Sequence, residues 1–151
     1  IVIPNYNGQE LLDEYLPSVF DAARSYSDQF EVIIVDDGSK DQSVDLLRRK
    51  YPEAQVLVNE RNVGFGETVN RGVKACKNCI VVLLNNDVRV EKDFFEPMLR
   101  HFEQERIFAV VAKVVRSCAC RLAGCGCAGR PNPGSCWCCS PDSRRVLRPG
   151  A

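Results

Sequence analysis

Short runs rich in β-branched residues, separated by stretches with helical periodicity, constrain the fold of this chain most strongly. The runs are Ile1–Ile3, Glu31–Val35, Gln55–Val58, Ile80–Leu84 and Phe108–Val115. Strands that alternate with helices favour a mostly parallel sheet, because each crossover helix brings the chain back in the same direction. We therefore predict an α/β, Rossmann-like fold over residues 1–115, with helices on both faces of a mostly parallel sheet and the Ile80–Leu84 strand buried at its centre.

The stretches between these runs have the spacing of amphipathic helices. Apolar residues recur at i, i+3 and i+4 over residues 11–23, where Pro17 is expected to bend or restart the helix. Ser39 and Gln42 have the capping-box spacing, which predicts the start of a second helix. This second helix includes Val44–Leu47, and Glu67–Cys76 and Asp93–Gln104 are predicted to form two more helices.

The composition changes abruptly after Val115. Residues 116–151 hold six Arg, no Lys and one acid, Asp142, whereas the preceding residues carry a net charge of −5. Seven of the nine Cys also lie in this tail, which contains few large aliphatic residues. We predict that the tail is unstructured, because it cannot bury enough apolar surface to offset the cost of ordering.

Two other interpretations of residues 116–151 follow from their composition. A segment rich in Arg, Gly, Pro and Cys without Lys or Ile is typical of a GC-rich gene that is read out of frame. Alternatively, the Cys residues form disulfides or a thiolate metal cluster, although their CxC spacing is not that of a usual zinc site. At the other end, Ile1 already lies in an apolar run, and we expect residues to precede it.

Polar residues follow the predicted strands at the point where each strand ends. The sequences are PNYNG after the first strand, DDGSKD after the second, NERNVGFGETVNRG after the third and NND after the fourth. Turn chemistry explains any one of them. The carboxyl ends of parallel strands, however, meet at one edge of the sheet, where ligands of such folds bind. Four polar segments at one edge therefore favour a ligand site.

The acidic residues at this edge have two distinct uses. Asp36 and Asp37 are neighbours on an extended strand and point to opposite faces, so one can accept a hydrogen bond from a nucleobase while the other holds the turn. Asp87 can place one carboxylate on Mg²⁺ or Mn²⁺, which commonly complete their shells with phosphate oxygens and water. Together they suggest a nucleoside diphosphate held by its base and by a metal.

The motifs VIPNYN, VIIVDDGS, N-x-G-F-G-x-x-x-N-x-G and LLNNDV resemble those of family 2 glycosyltransferases with the GT-A fold. The resemblance covers roughly residues 1–115. It implies inverting transfer of a sugar from a UDP- or dTDP-type donor to a glycan or lipid acceptor, in cell wall or polysaccharide synthesis, with Mn²⁺ or Mg²⁺ as cofactor. It further implies no nucleic-acid partner and a location in the cytoplasm or at the cytosolic face of a membrane. No apolar run is long enough to predict a membrane-spanning segment.

The resemblance also assigns roles to individual residues. It implies that Asp37 contacts the base, that Asp36 supports it, and that Asp87 binds the metal where the family has Asp-X-Asp. The residues expected to bind the nucleotide sugar are Pro4, Asn5, Tyr6, Asn7, Asp36, Asp37, Asn62, Gly64, Phe65, Asn70, Asn85 and Asn86. The family's general base is expected beyond residue 115, where Asp142 lacks the expected context. We therefore expect this chain to be inactive alone.

Other interpretations of these residues remain. The first is a non-catalytic fragment that binds nucleotides. The second is a phospho-acceptor receiver domain with Asp36, Asp37, Asp87 and Lys113, although the acidic pair of a receiver ends the first strand and here it ends the second. Cys76 and Cys79 have metal-like spacing but are too few for zinc, so packing at a helix end is favoured. His101 is expected on a solvated helix face.

Overall fold

The computed structural model describes residues 1–116 and 145–148, in which strands and helices alternate. The strands are Val2–Asn5 (β1), Ile33–Asp36 (β2), Gln55–Val58 (β3), Val88–Val90 (β4), Lys113–Arg116 (β5) and Arg145–Arg148 (β6). The helices are Gln9–Tyr26 (α1), Ser43–Lys50 (α2), Phe65–Ala75 (α3) and Phe95–Arg100 (α4), the last followed by a 3₁₀ turn at His101–Glu103. None of the described helices is long and apolar enough to cross a membrane.

The first sheet is parallel and has β2 at its centre, in the order β1-β2-β3. Asn5 lies opposite Asp36, and Asp36 lies opposite Val58, so all three strands end at the same level. The polar residues that follow them therefore begin at one edge of the sheet, which confirms the fold predicted from the alternation of strands and helices.

Alternation along β1 and β2 divides the apolar side chains between two faces. On one face, Ile3 and Ile34 belong to the core cluster that contains residues of α1 and α2. On the other, Gly72 of α3 lies so close to Val2 and Val35 that a Cβ added there would be 2.5 Å and 2.9 Å from their methyl groups. Both faces of the sheet are thus covered by helices, as a largely buried parallel sheet requires.

The predicted fourth strand, Ile80–Leu84, is reduced to a single bridge between Val2 and Leu83. Val2 donates to the carbonyl of Val82 at 2.9 Å, and Leu84 donates to the carbonyl of Val2 at 3.0 Å. The prediction that this segment is central and buried on both faces is wrong, because the exposed fraction is 40% at Ile80 and 45% at Leu83. Within the described part of the chain, this segment lies along the outer side of β1, and β3 is at the opposite side of the sheet.

The second sheet has the order β4-β6-β5, with β6 parallel to β4 and antiparallel to β5. The unstructured tail predicted for residues 116–151 therefore differs from the structure at Arg116, which ends β5, and at Arg145–Arg148, which form β6. The other tail residues, including the seven Cys and Asp142, lie outside the described residues. The predicted strand Phe108–Val115 is also too long, since Phe108 is 97% exposed and β5 begins at Lys113.

Two expectations about helices are corrected by the structure. The first helix does not restart at Pro17, because α1 is unbroken from Gln9 to Tyr26, and a bend at Pro17 stays a prediction. Ser39 does not cap α2, because its hydroxyl is engaged with Asp36 and the helix begins four residues later. His101 is exposed, as predicted.

Candidate functional site

A cleft of about 440 Å³ lies at the edge of the sheet where β1 and β2 end. Residues from four separate segments line it, and most of them were predicted to bind the nucleotide sugar. The lining residues are Pro4, Asn5, Tyr6, Asp37, Asn62, Gly64, Phe65, Thr68, Asn85, Asn86 and Asp87. The fold therefore brings together polar segments that are up to about eighty residues apart in the sequence.

Asp36 lies beneath the cleft and ties the surrounding loops together. It is fully buried, and its carboxylate accepts hydrogen bonds from the Ser39 backbone N–H at 2.9 Å, the Ser39 hydroxyl at 2.6 Å and Asn5 Nδ2 at 2.9 Å. The Asn5 amide then accepts a bond from Asn86 Nδ2 at 2.8 Å. Asp36 thus connects the ends of β1 and β2 to the segment that carries Asn86.

Asp37 is held differently, in the wall of the cleft. Its Oδ1 accepts hydrogen bonds from Asn59 Nδ2 at 2.7 Å and the Val63 N–H at 2.9 Å, and its Oδ2 accepts one from the Gly64 N–H at 2.9 Å. Gly64 adopts a φ of 92°, a conformation that glycine adopts readily, and this lets its N–H reach the carboxylate. The loop after β3 therefore folds around the Asp37 side chain.

These contacts keep Asp37 charged. Burial opposes ionisation, but the hydrogen bonds from Val63, Asn59, Gly64 and Thr68 outweigh it and hold the pKa of Asp37 below its ordinary value. Asp37 is consequently an ionised acceptor on the wall of the cleft at neutral pH. An ionised carboxylate has only acceptors and is therefore suited to a ligand N–H donor.

Three of the predicted site residues do not line the cleft. Asp36 is buried below it, and its supporting role stays a prediction. Asn7 has a φ of 49°, and it donates from its backbone to the Ser39 hydroxyl and accepts from the Lys40 N–H, both at 2.8 Å. Asn7 therefore organises the loop instead of facing the cleft. Asn70 is exposed on α3 and is not among the lining residues.

Two aromatic side chains are exposed at the cleft. The exposed fraction is 48% for Tyr6, in the loop after β1, and 60% for Phe65, at the first residue of α3. Exposure of large aromatic rings costs free energy unless a ligand or partner covers them. Their position beside Asp37 offers flat apolar surface next to a charged acceptor.

Asn85, Asn86 and Asp87 line the same cleft and stand where a metal was predicted. In the described part of the chain, no group of three or more His, Cys, Asp or Glu side chains is placed to hold a metal ion. Asn86 uses its Nδ2 toward Asn5, so its amide oxygen can face a ligand. One carboxylate with neighbouring amide oxygens fits a Mg²⁺ or Mn²⁺ ion whose remaining ligands are phosphate oxygens and water. These side chains alone do not supply all the ligands of such an ion.

The structure adds two residues that the sequence did not indicate. Thr68 lines the cleft, is 1% exposed, and accepts a hydrogen bond from Asn59 Nδ2 at 3.3 Å. Ser39 joins Asp36 to Asn7. A hydroxyl group has no distinctive spacing in the sequence, so only the position of these residues on the fold reveals their contacts.

Two other cavities lie at the opposite edge of the sheet, near the end of α1. One, of about 860 Å³, lies between Tyr26 and the charged residues of α4. The other, of about 320 Å³, contains Phe30, Cys76 and Cys79. The largest of these three cavities, which are formed by described residues, is thus not the one beside the buried carboxylate network. We favour the cleft of about 440 Å³ at the carboxyl ends of the strands, where ligands of such folds bind.

The α/β part of the chain is similar in sequence to known glycosyltransferases. The family model described as "Glycosyl transferase family 2" matches residues 1–122. An undecaprenyl-phosphate 4-deoxy-4-formamido-L-arabinose transferase of Pseudomonas fluorescens (strain Pf0-1) is 32% identical over 119 residues, which cover 76% of this chain and 34% of that protein. The putative glycosyltransferase EpsH of Bacillus subtilis is 30% identical over 91 residues, which cover 58% of this chain and 26% of that protein. The chain spans about a third or less of the length of these curated relatives.

Solved structures show the same fold. S. aureus TarS 1–349 in complex with UDP-GlcNAc has a TM-score of 0.56 and 22% identity, over 75% of this chain and 32% of that chain. The mannosyltransferase PcManGT from Pyrobaculum calidifontis, in complex with GDP-Man and Mn²⁺, has a TM-score of 0.55 and 20% identity, over 74% of this chain and 33% of that chain. These likenesses confirm the predicted fold class.

Proposed function

Since the chain belongs to glycosyltransferase family 2, we propose that its α/β part is the donor-binding half of an inverting enzyme that moves a sugar from a nucleoside diphosphate to a glycan or lipid acceptor. The observation that carries the proposal is the cleft, in which a charged acceptor, two exposed aromatic rings and an Asn-Asn-Asp segment come together. These groups match the base and the diphosphate of a nucleotide sugar.

Asp37 is the proposed contact to the base. A carboxylate accepts a hydrogen bond from the imide N–H of uracil or thymine, whereas the corresponding ring nitrogens of cytosine and adenine are themselves acceptors and would repel it. Tyr6 and Phe65 offer ring faces on which a base can stack. Guanine also presents a ring N–H, so the carboxylate alone does not separate it from uracil and thymine. We propose a UDP- or dTDP-type donor because the resemblance to the family implies one, with its nucleotide over the ends of β1 and β2.

Asp87 is the proposed ligand of Mg²⁺ or Mn²⁺, with Asn85 and Asn86 beside it for the ribose and phosphates. When bound, the metal would neutralise charge on the leaving diphosphate. Because the protein supplies a single carboxylate here, we expect the ion to bind together with the nucleotide and only weakly without it.

The acceptor side of the reaction is proposed from the relatives. The names of several refer to undecaprenyl phosphate, which favours a lipid phosphate as acceptor at a membrane surface. Inverting transfer needs a general base within hydrogen-bond reach of the attacking group. We expect that base outside the residues that the structure describes, and we expect nucleotide binding without sugar transfer from this chain alone.

Calorimetric titration of UDP into the chain, with and without Mn²⁺, tests the proposal. We expect tighter binding with Mn²⁺ in the parent, and no effect of Mn²⁺ in Asp87→Ala. Asp93→Ala is the matched control, because Asp93 is an exposed acid at the cavity on the opposite edge of the sheet. Failure of the folded parent to bind UDP under either condition would contradict the proposed function. Equal affinity with and without Mn²⁺ would contradict the assignment of Asp87.

The non-catalytic alternative assigns the same nucleotide-binding role to the cleft, so nucleotide binding alone does not distinguish it from the enzyme. A non-catalytic protein binds UDP and UDP-sugars but transfers no sugar even when the whole protein is used. Sugar transfer from a UDP-sugar to a polyprenyl phosphate by the whole protein would exclude it.

A further inference from the structure

We infer that Arg71 is a positioning residue of the nucleotide site, which fixes the Asn59 amide and through it the Asp37 carboxylate. The inference rests on the proposed function, since the orientation of Asp37 affects binding only if a nucleotide occupies the cleft. Arg71 lies on α3, one turn after Thr68, and is not among the residues that line the cleft. It therefore acts through its neighbours and not by contact with the ligand.

A continuous chain of hydrogen bonds joins Arg71 to Asp37. Arg71 Nη1 donates to the Val58 carbonyl at 2.8 Å and to Asn59 Oδ1. Asn59, only 7% exposed, donates from Nδ2 to Asp37 Oδ1 at 2.7 Å and to Thr68 Oγ1 at 3.3 Å. Every polar atom of the Asn59 side chain thus has a partner.

The chemistry of the end groups dictates how the amide is oriented. A guanidinium has only donors, and an ionised carboxylate has only acceptors. An amide between them must therefore present its oxygen to Arg71 and its nitrogen to Asp37. Without Arg71, the Asn59 oxygen loses this donor, and only the contacts of its nitrogen to Asp37 and Thr68 remain to fix the amide.

The effect of losing Arg71 should be partial. The backbone N–H groups of Val63 and Gly64 would still hold Asp37, because they belong to the loop and do not depend on Asn59. We therefore expect UDP affinity to fall by about tenfold, as for the loss of one hydrogen bond to a charged group. Complete loss of binding is not expected.

Calorimetry with UDP on the full 151-residue chain tests this expectation. Arg71→Met keeps the length and apolar stem of the side chain but removes its donors, and should bind UDP about tenfold more weakly. Arg71→Lys keeps a donor and a positive charge, and should recover part of the affinity. Arg49→Met, at an exposed position on α2, should bind like the parent. Parent-like UDP affinity in Arg71→Met would overturn the inference.

A second measurement separates positioning from a general loss of stability and needs no nucleotide. The carboxyl carbon of Asp37 is titrated by ¹³C NMR in the parent and in Arg71→Met; the neighbouring acids are Asp36 beneath it and Asp87 on the same cleft. We expect the titration midpoint of Asp37 to lie at higher pH in Arg71→Met than in the parent, because the hydrogen bond from Asn59 then stabilises the charged carboxylate less. An unchanged midpoint would overturn the inference, even if stability falls. Failure of the parent to bind UDP would refute the proposed function, while the midpoint would still decide whether Arg71 acts on Asp37.

Discussion

Asp36 and Asp37 are adjacent in the sequence, yet their carboxylates have separate surroundings and different expected roles. Asp36 is 0% exposed and holds the loop that begins at Ser39, whereas Asp37 holds the loop after β3 and also lines the cleft. Alternation along an extended strand predicted this division, because neighbouring side chains point to opposite faces. The contributions of Ser39 and Thr68 could not be predicted, because their partners are fixed only when separate loops meet.

The first prediction concerns Asp37→Asn. The amide removes the charged acceptor proposed for the base, so UDP affinity should fall by about 1.5–3 kcal/mol. Calorimetry of parent and variant measures the difference. Asp41→Asn is a control, because Asp41 is a hydrogen-bonded loop acid outside the cleft. Equal affinity of Asp37→Asn and parent would contradict the assignment of the base contact.

The second prediction concerns Asp36→Asn, which should act on folding more than on binding. One oxygen of Asp36 accepts from both Ser39 Oγ and Asn5 Nδ2, and the other accepts from the Ser39 N–H. An amide nitrogen at either place would face donors, at a cost of about 1–3 kcal/mol. Urea unfolding measures this loss. A variant as stable as the parent that has lost UDP binding would show that Asp36, not Asp37, selects the nucleotide.

At the scale of elements, close packing of α3 on the sheet depends on Gly72. A Cβ added there would lie 2.5 Å from Val2 Cγ1 and 2.9 Å from Val35 Cγ2, in a fully buried layer. Gly72→Ala should therefore destabilise the fold by about 1–3 kcal/mol through overpacking. Urea unfolding of the purified variant provides the measurement.

Gly66 supplies the matched control on the same helix. Among the residues that the structure describes, no atom outside the neighbouring helix backbone lies within 4 Å of a Cβ added at Gly66. Gly66→Ala should therefore stabilise the fold by up to about 1 kcal/mol, because alanine has the better helix propensity. If both alanine variants changed stability in the same direction, the packing of Gly72 would not be the cause.

Prediction from sequence was most accurate for elements with a strong local pattern. The strands β1, β2 and β3 and the two-sided helical cover followed from β-branched runs and 3.6-residue periodicity. The run Ile80–Leu84 was wrongly predicted to be a buried central strand, because an apolar run has the same sequence pattern whether or not another strand covers its outer edge. Residues Arg145–Arg148 were missed because β6 is a short segment with only Val146 and Leu147 as apolar residues, and it depends on β4 and β5 as partners.

At the scale of the whole molecule, the buried charge of Asp37 links stability to pH. The pKa of Asp37 is lowered in the folded state, so its ionised carboxylate stabilises the fold. This stabilisation is fully present above the pKa of the same side chain in the unfolded chain, about 3.9. It is lost as the pH falls from there through the folded-state pKa. We therefore expect the urea-unfolding free energy to fall on acidification, and to fall less in Asp37→Asn. Parallel pH profiles for the two proteins would contradict this.

The central claim is that a nucleoside diphosphate binds at the carboxyl ends of β1 and β2. Amide chemical-shift mapping by NMR, with UDP and Mg²⁺ added to the 151-residue chain, locates the ligand directly. We predict that the largest changes fall in residues 5–7, 62–65 and 85–87, with Val63 and Gly64 affected because their N–H groups hold Asp37. Changes centred instead on residues 92–103, at the cavity on the opposite edge of the sheet, would contradict the account.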